Sequence, residues 1–314
     1  MPIHDLGYRA WEGRLGSEAA RWWVISRTGI RLAWRSRLLR RFVLLAWLPA
    51  MYMGIAFFMW EQAASQPEMK LAAMQFFRGF GGQQAAEVFS TASITDPASG
   101  RHEVWGWLLL VFFRQPQGVL MALVVGMIAP PLISQDIRSR ALLLYFSRPI
   151  TRWEYIVGKF AVVAFYVLII TTAPALALYT FGVLLSPDLS VLKYTWDFPP
   201  RILLCSLVLT IPTTSVALAF SSLTVRSYQA GFAWFATWAV GFITYEFVRG
   251  ASIEECSDRW SLVSLHHTLG LVQSWIFNIT ERSPAAPIAL ALLGLLSVVS
   301  LAIVFQRVTA CTRQ

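Results

Sequence analysis

Charged side chains are scarce in this sequence: Asp, Glu, Lys and Arg make up 14% of its 314 residues, whereas 56% of the residues are hydrophobic. A water-soluble domain of average composition has about 25% charged residues. The chain therefore lacks the composition of a soluble globular protein, and no internal repeat is visible in it. The balance indicates a membrane protein.

Residues that bind metals or form disulfides are also few. The three cysteines, Cys205, Cys256 and Cys311, lie far apart, and their spacing fits neither a zinc site nor an intramolecular disulfide. Of the four histidines, only His266 and His267 are neighbours, and adjacent residues point to different sides of any helix. We therefore expect no metal site in this chain.

Long apolar runs are what the sequence has instead. A hydrocarbon core about 30 Å thick needs roughly 20 apolar residues to cross it as a helix. Helices are expected, because an unpaired backbone group in lipid costs several kcal/mol. The predicted fold class is an all-α membrane protein with six transmembrane helices in a domain over 42–306. The six predicted spans are 42–60, 116–133, 160–181, 202–223, 229–248 and 286–305.

Lys and Arg are unevenly distributed between the segments that connect these spans. Nine arginines and three acidic residues precede the first span, and the connection 134–159 is also basic. The connections 61–115 and 249–285 hold roughly as many acids as bases. By the positive-inside rule, the tails 1–41 and 307–314 are expected on the cytoplasmic side of a bacterial inner membrane. The basic leader is expected to stay uncleaved, so that the first span anchors the chain in the membrane. Anionic inner-leaflet lipid then accounts for the net charge of +9 without any nucleic acid.

Three shorter stretches are expected to lie at membrane surfaces. Residues 17–41 carry arginines four residues apart on one stripe, which predicts an amphipathic interfacial helix. Segment 104–113 is apolar but too short to span, and residues 114–116 separate it from the second span. Segment 261–277 is apolar but interrupted by polar residues. We expect both as short extracytoplasmic helices that lie on or dip into the outer leaflet.

The connection between the second and third spans, residues 134–159, is longer than a helical hairpin needs. Pro130, Pro131 and Ser134 are predicted to close the second helix. A short helix is predicted over 135–146, with its arginines toward water and its three leucines toward an apolar surface.

The third span is predicted to begin at a capping box. Thr151 is a favourable N-cap residue, and Glu154 follows it three positions later. The 134–159 loop is therefore expected to be an ordered unit with exposed cations. Two interpretations stay open from its residues alone: an anchor on the membrane surface, or a docking surface for a soluble partner.

The order of residues in this loop is distinctive. Gln135-Asp136-Ile137-Arg138 is followed by Ser147-Arg148-Pro149-Ile150-Thr151-Arg152 and then by Gly158-Lys159. This pattern resembles the cytoplasmic loop of type 2 ATP-binding-cassette (ABC) exporter permeases. The resemblance extends to the amphipathic leader, the six spans and the short outer helices, whereas the connection 61–115 is longer than in a minimal member of that family.

The resemblance implies that the loop carries a coupling helix, which sits in a groove of a separate ATPase subunit. The chain has no phosphate loop of its own, because Gly158-Lys159 is followed by Phe160 at the start of a span. The resemblance thus implies that ATP and magnesium bind to the partner, and that this chain binds no cofactor and has no catalytic activity by itself. The implied assembly has two ATPase copies and two permeases, which form a homodimer or a heterodimer. The residues implied to contact the ATPase are Asp136, Arg138, Arg140, Ser147, Arg148, Pro149 and Arg152 in the loop, Arg27, Arg31 and Arg35 in the leader, and Arg226 between the fourth and fifth spans.

The substrate is expected to be apolar or amphipathic, and two other functions stay open. Glu254, Glu255 and Arg259 match the Glu-Glu-x-x-x-Arg motif of membrane-embedded prenyl-protein proteases, in which paired carboxylates can activate water. The sequence has no Phe-x-x-x-His or His-x-x-x-Asn segment to supply the histidines of that chemistry. The third hypothesis is a membrane scaffold that transmits force to an outer partner without passing substrate.

Overall fold

The structure, a computed structural model, describes residues 21–94, 97–147, 150–186, 191–251, 260–278 and 284–311. Within these ranges every regular element is helical, which confirms the predicted all-α class for them. Short 3-10 turns occur at Pro67–Met69 and Ser261–Val263. The α-helices are α1 (Arg21–Trp34), α2 (Arg37–Leu45), α3 (Leu48–Ser65), α4 (Lys70–Ile94), α5 (Pro97–Arg114), α6 (Pro116–Arg138), α7 (Ala141–Phe146), α8 (Arg152–Ile170), α9 (Thr172–Leu185), α10 (Val191–Thr195), α11 (Phe198–Leu223), α12 (Ser227–Ala251), α13 (Leu265–Phe277) and α14 (Ala285–Cys311).

Five helical stretches in the described ranges are long and apolar enough to cross a membrane, and each contains one of the predicted spans. They are Arg37–Ser65, Ser99–Arg138, Arg152–Leu185, Val191–Leu223 and Ala285–Cys311. The remaining predicted span, 229–248, lies in α12, which is 25 residues long but is not one of the five. Helix α12 carries the polar residues Gln229 and Glu246, together with two tyrosines and two tryptophans.

Helix α11 occupies the centre of the bundle and contacts α6, α8, α9, α12, α13 and α14. Several of its buried side chains carry hydroxyl groups that are hydrogen-bonded within the helix. Thr213 and Ser215 are fully buried, and each donates to a carbonyl of its own preceding turn, at 2.6 and 2.7 Å. Small and hydroxyl residues let helices approach closely in membranes, so these groups serve helix packing.

The long connection 61–115 forms a helical hairpin, α4 and α5, which packs against α3. Glu61 at the end of α3 is 2% exposed and accepts two hydrogen bonds from the Arg101 guanidinium, at 2.9 and 2.7 Å. The Trp105 indole donates a third, at 3.2 Å, to the same carboxylate. A buried carboxylate with this many donors is well compensated, so the ion pair fixes α5 to the first spanning stretch.

The segments predicted to be short surface helices have more protein contact than the sequence indicates. Segment 104–113 is the second half of α5 and is almost wholly buried. As predicted, residues 114–116 separate it from α6: α5 ends at Arg114 and α6 begins at Pro116. Segment 261–277 forms the 3-10 turn and α13, which packs against α5, α11, α12 and α14. Their position relative to the membrane stays a prediction.

Candidate functional site

The second spanning helix continues beyond the point where it was predicted to end. The prediction that Pro130, Pro131 and Ser134 close it is wrong, because α6 runs to Arg138 with both prolines inside it. The prolines lack N–H groups and disturb the helical hydrogen bonds around them. The hydroxyl of Ser221 on α11 repairs this site: it accepts from two backbone N–H groups of the next turn, both at 3.1 Å, and donates to the Pro130 carbonyl at 2.7 Å.

The short helix in the 134–159 loop begins later than predicted. Residues 135–138 belong to α6, and only Ala141–Phe146 form α7, so the predicted helix 135–146 is two helices. Arg140 separates them with a φ of 55°, in the left-handed region that side chains rarely adopt. The chain therefore turns sharply before α7, and α7 points in its own direction.

The three leucines of α7 do not share one surface. Leu142 is buried at 2% exposure, whereas Leu143 and Leu144 are 48% and 74% exposed. Of the three leucines predicted to contact an apolar surface, Leu142 alone is therefore buried within the chain. Leu143 and Leu144 remain open to a partner or to lipid.

The predicted capping box at the start of the third span is confirmed. The Thr151 hydroxyl accepts from the Glu154 backbone N–H at 3.3 Å, and the Glu154 carboxylate accepts from the Thr151 backbone N–H at 2.6 Å. Two N–H groups that a helix start leaves unpaired are thus satisfied reciprocally. Helix α8 therefore begins at a fixed position directly after the loop.

A polar cluster joins the two ends of the loop. Asp136 near the end of α6 lies 2.7 Å from Lys159 Nζ of α8, and the Tyr155 hydroxyl donates to the same carboxylate oxygen at 2.7 Å. Tyr155 is fully buried, and the rings of Tyr145 and Phe146 from α7 pack against it. The cluster therefore ties α6, α7 and α8 together, and Asp136, which was predicted to contact the ATPase, has its contacts inside this chain.

Helix α1 packs along the first turns of α8. The Ser26 hydroxyl donates to the Gly158 carbonyl at 3.2 Å, and the Tyr166 hydroxyl donates to the Ile30 carbonyl at 2.8 Å. A Cβ at Gly158 would lie 2.9 Å from Ile25, so the helices approach more closely than an alanine permits. The helix predicted over 17–41 is interrupted: its described part is α1 followed by α2, and the Ser36 side chain caps α2.

The structure brings most of the predicted partner-contact residues to one end of the bundle, around the loop. Arg138, Arg140 and Ser147 are exposed, and Arg152 at the start of α8 is partly exposed. Residues 148 and 149 lie outside the described residues. The predicted stripe is exposed as well: Arg27 and Arg31 lie on α1, and Arg35 directly follows it.

The turn between α11 and α12 lies beside the base of the loop. Ser134 Oγ and Ser227 Oγ are 3.0 Å apart, so the start of α12 adjoins the last turns of α6. Arg226 in this turn is exposed, and its guanidinium donates to the Tyr228 hydroxyl at 3.1 Å. At the same end, Trp153 of α8 stacks on Phe305 of α14 with ring centroids 4.9 Å apart. The end of α6, the start of α8, the end of α14 and the α11–α12 turn therefore lie at the same end of the bundle as α7.

A comparison with protein families matches the model described as "ABC-2 family transporter protein" over residues 23–309. The chain belongs to the ABC-2 transporter family. The match covers α2 to α13 completely and nearly all of α1 and α14, and it supports the expected type 2 ABC permease. No curated protein matches the chain.

Membership of this ABC-2 family identifies the chain as the membrane subunit of a transporter and favours neither the protease nor the scaffold hypothesis. The Glu254, Glu255 and Arg259 motif lies outside the described residues. Among the described residues, no group of His, Cys, Asp and Glu is placed to hold a metal ion.

Tyr155 and Ser221 are the site residues that sequence reasoning missed. A signal for the first existed: Tyr155 and Lys159 are four residues apart on α8, so they share one face of the helix. That face is the one that meets Asp136. Nothing in the local sequence indicates that Ser221 reaches Pro130, which lies 91 residues away along the chain.

Proposed function

We propose that this ABC-2 permease exports an apolar or amphipathic substrate and is driven by a separate ATPase that docks on the 134–159 loop. The observation that carries this proposal is the construction of the loop. Its two flanking helices are joined by the Asp136–Lys159 ion pair, while Arg138, Arg140 and Ser147 point outward unburied. A rigid base with exposed cations suits a surface that receives force from a partner.

The proposed topology has six spans, with α12 as the fifth. Helix α12 has the length for a crossing, and it packs against α6 and α11, which lie in two of the five apolar stretches. The proposed orientation has both termini and α7 on the cytoplasmic side of a bacterial inner membrane. The basic leader and the basic 134–159 loop support this orientation by the positive-inside rule. The α4–α5 hairpin and α13 are then extracytoplasmic.

The proposed assembly has two permeases and two ATPase subunits, with ATP and magnesium on the ATPases. Loop residues Arg138, Arg140, Ser147, Arg148, Pro149 and Arg152 form the centre of the proposed docking surface. Arg226 stands beside it on the α11–α12 turn, and it is flanked by Arg27 and Arg31 on α1 and by Arg35 directly after α1. Asp136 acts within this surface as a positioning residue, since it holds α6 to α8.

Copurification tests the assembly. The permease is purified from its native host in mild detergent, and proteins present in near-equal amount are identified by mass spectrometry. We expect an ATPase with a phosphate loop. If the permease is recovered alone and no such ATPase is encoded nearby, the proposed energy source is wrong.

Charge reversal tests the docking surface. We expect the double variant Arg138→Glu and Arg140→Glu, and equally Arg148→Glu with Arg152→Glu, to lose the copurifying ATPase. The matched control is Arg78→Glu, because Arg78 is an exposed arginine on α4 in the hairpin assigned to the other side. Normal assembly and ATP hydrolysis in both doubly reversed proteins would show that the ATPase docks elsewhere.

A further inference from the structure

A cavity of about 880 Å³ lies between α1 and α2 on one side and α6 and α7 on the other. Its walls are mainly apolar, with Val24 and Leu32 from α1, Met127 and Ile128 from α6, and Leu144 from α7. Pockets for small organic ligands have volumes of about 300 to 1,000 Å³. The cavity, here called the α1–α6 groove, is therefore large enough for a flexible hydrocarbon chain.

The side chains at the mouth of the groove are large, apolar and uncovered. Val24 and Leu32 are each 64% exposed, and Leu144 is 74% exposed. Burying apolar area is worth about 25 cal/mol per Å², so water is an unfavourable occupant. Ser36 and Leu39, at the start of the spanning stretch Arg37–Ser65, also line the groove. In the proposed topology the groove therefore lies at the depth where lipid chains meet lipid headgroups.

Cations border the groove on the α1 side. Arg31 follows Thr28, a groove-lining residue, by three positions and therefore lies roughly 60° from it around the helix axis. Arg27 and Arg31 are exposed, and the structure gives neither of them an ion pair with a described acidic residue. At the inner end of the groove, Lys159 is paired with Asp136. The positive charge at the mouth is thus left for a ligand from outside the chain.

We propose that the α1–α6 groove binds one anionic phospholipid, with an acyl chain between α1 and α6 and its phosphate against Arg27 and Arg31. Charge complementarity selects this occupant, since a zwitterionic lipid brings no net charge to the two arginines. Each Lys or Arg near an anionic membrane surface contributes about 1 kcal/mol to its attraction. The inference rests on the proposed orientation of α1 but not on the coupling to an ATPase.

The test measures lipid retained by the full-length permease purified without any ATPase. The protein is exchanged into nanodiscs that contain phosphatidylglycerol and phosphatidylcholine in equal amounts, re-extracted in mild detergent, and examined by native mass spectrometry. We expect retention of one phosphatidylglycerol per permease, with a preference of about thirtyfold over phosphatidylcholine. We expect Leu32→Asp to lose this lipid and Arg27→Gln with Arg31→Gln to bring the preference close to one.

Leu71→Asp is the matched control, because Leu71 is 70% exposed on α4, away from the groove. It should retain lipid as the wild type does, and thermal midpoints verify that each variant is folded. Retention by Leu32→Asp equal to that of the wild type, or no retention by the wild type, overturns the proposal. If Leu32→Asp keeps its lipid but no longer copurifies the ATPase, the groove belongs to the protein partner and the lipid assignment is wrong, while the proposed function stands.

Discussion

Asp136 Oδ2 lies 2.7 Å from Lys159 Nζ, and this ion pair joins the last turn of α6 to the first turns of α8. The two residues stand on either side of α7, so their contact fixes the separation of the helices that flank the loop. Both side chains are mostly buried, at 16% and 11% exposure. A push on α7 therefore moves both helices together instead of bending the loop.

We predict that Asp136→Asn destabilises the permease and weakens its coupling to ATP hydrolysis. The variant leaves Lys159 mostly buried without its anion, and breaking a buried pair in this way costs about 3 kcal/mol. The thermal midpoint should fall, and the permease should no longer stimulate the partner ATPase. Exchange of the two residues, Asp136→Lys with Lys159→Asp, should recover part of both losses. An unchanged midpoint in Asp136→Asn would contradict the role of the pair.

Ser221→Ala should be much more harmful than the same change at the next residue. Ser221 serves two N–H groups and one carbonyl of α6 around the prolines, whereas Ser222 donates only to Ala219 of its own helix. Each buried hydrogen bond lost costs about 1 kcal/mol. The measurement is the thermal midpoint of each variant in the same detergent, and the midpoint of Ser221→Ala should be the lower. Equal midpoints would show that α6 does not depend on Ser221.

Gly158→Ala should displace α1 from α8. The added Cβ would lie 2.9 Å from Ile25 and 3.1 Å from the Trp22 carbonyl, and the backbone contact leaves little room to adjust. Limited proteolysis should then cut α1 faster than in the wild type. Gly294→Ala is the control, because the Cβ at this helical position meets no atom within 4 Å. Equal cleavage of α1 in both variants would mean that the close approach is unimportant.

Stability should fall as the pH is lowered through the titration of His267. Burial, followed by the positive charges of His266, Arg114 and Arg249, lowers the pKa of His267 from 6.5 to about 4, although Glu246 lies 3.9 Å away. The unfolded chain thus binds this proton near pH 6.5 and the folded protein only near pH 4, so stability decreases between these values. Thermal midpoints across this window should depend less on pH in His267→Gln. Identical pH profiles for the two proteins would exclude His267 as the cause.

Features set by neighbouring residues could be predicted from the sequence. The capping box of Thr151 and Glu154 is a local pattern, and it forms as expected. The break between α5 and α6 at Pro116 is also local, since proline favours the first turn of a helix. The all-helical class follows from the same kind of information, because apolar runs of this length have few other solutions in a membrane.

Features that depend on distant residues could not be predicted in this way. Two successive prolines indicate a helix end by local rules, yet α6 continues past them, and the hydroxyl of Ser221 on another helix hydrogen-bonds to the backbone around the prolines. Asp136 reads as an exposed charge among arginines, but the fold places it against Lys159 and Tyr155. Segment 104–113 reads as a surface helix because its sequence does not show the α4 helix that covers it.

Helices α5 and α6 together form a helical stretch of 40 residues, Ser99–Arg138. At 1.5 Å per residue the two helices add up to about 60 Å, roughly twice the thickness of the hydrocarbon core. In the proposed topology, α5 therefore stands beyond the bilayer on the side away from α7, where α4, α5 and α13 contribute to the walls of a recess of about 740 Å³. Under the proposed export, a molecule released from the bundle on that side enters this protein-walled recess before it meets bulk water, so the recess limits the size of the exit above the membrane.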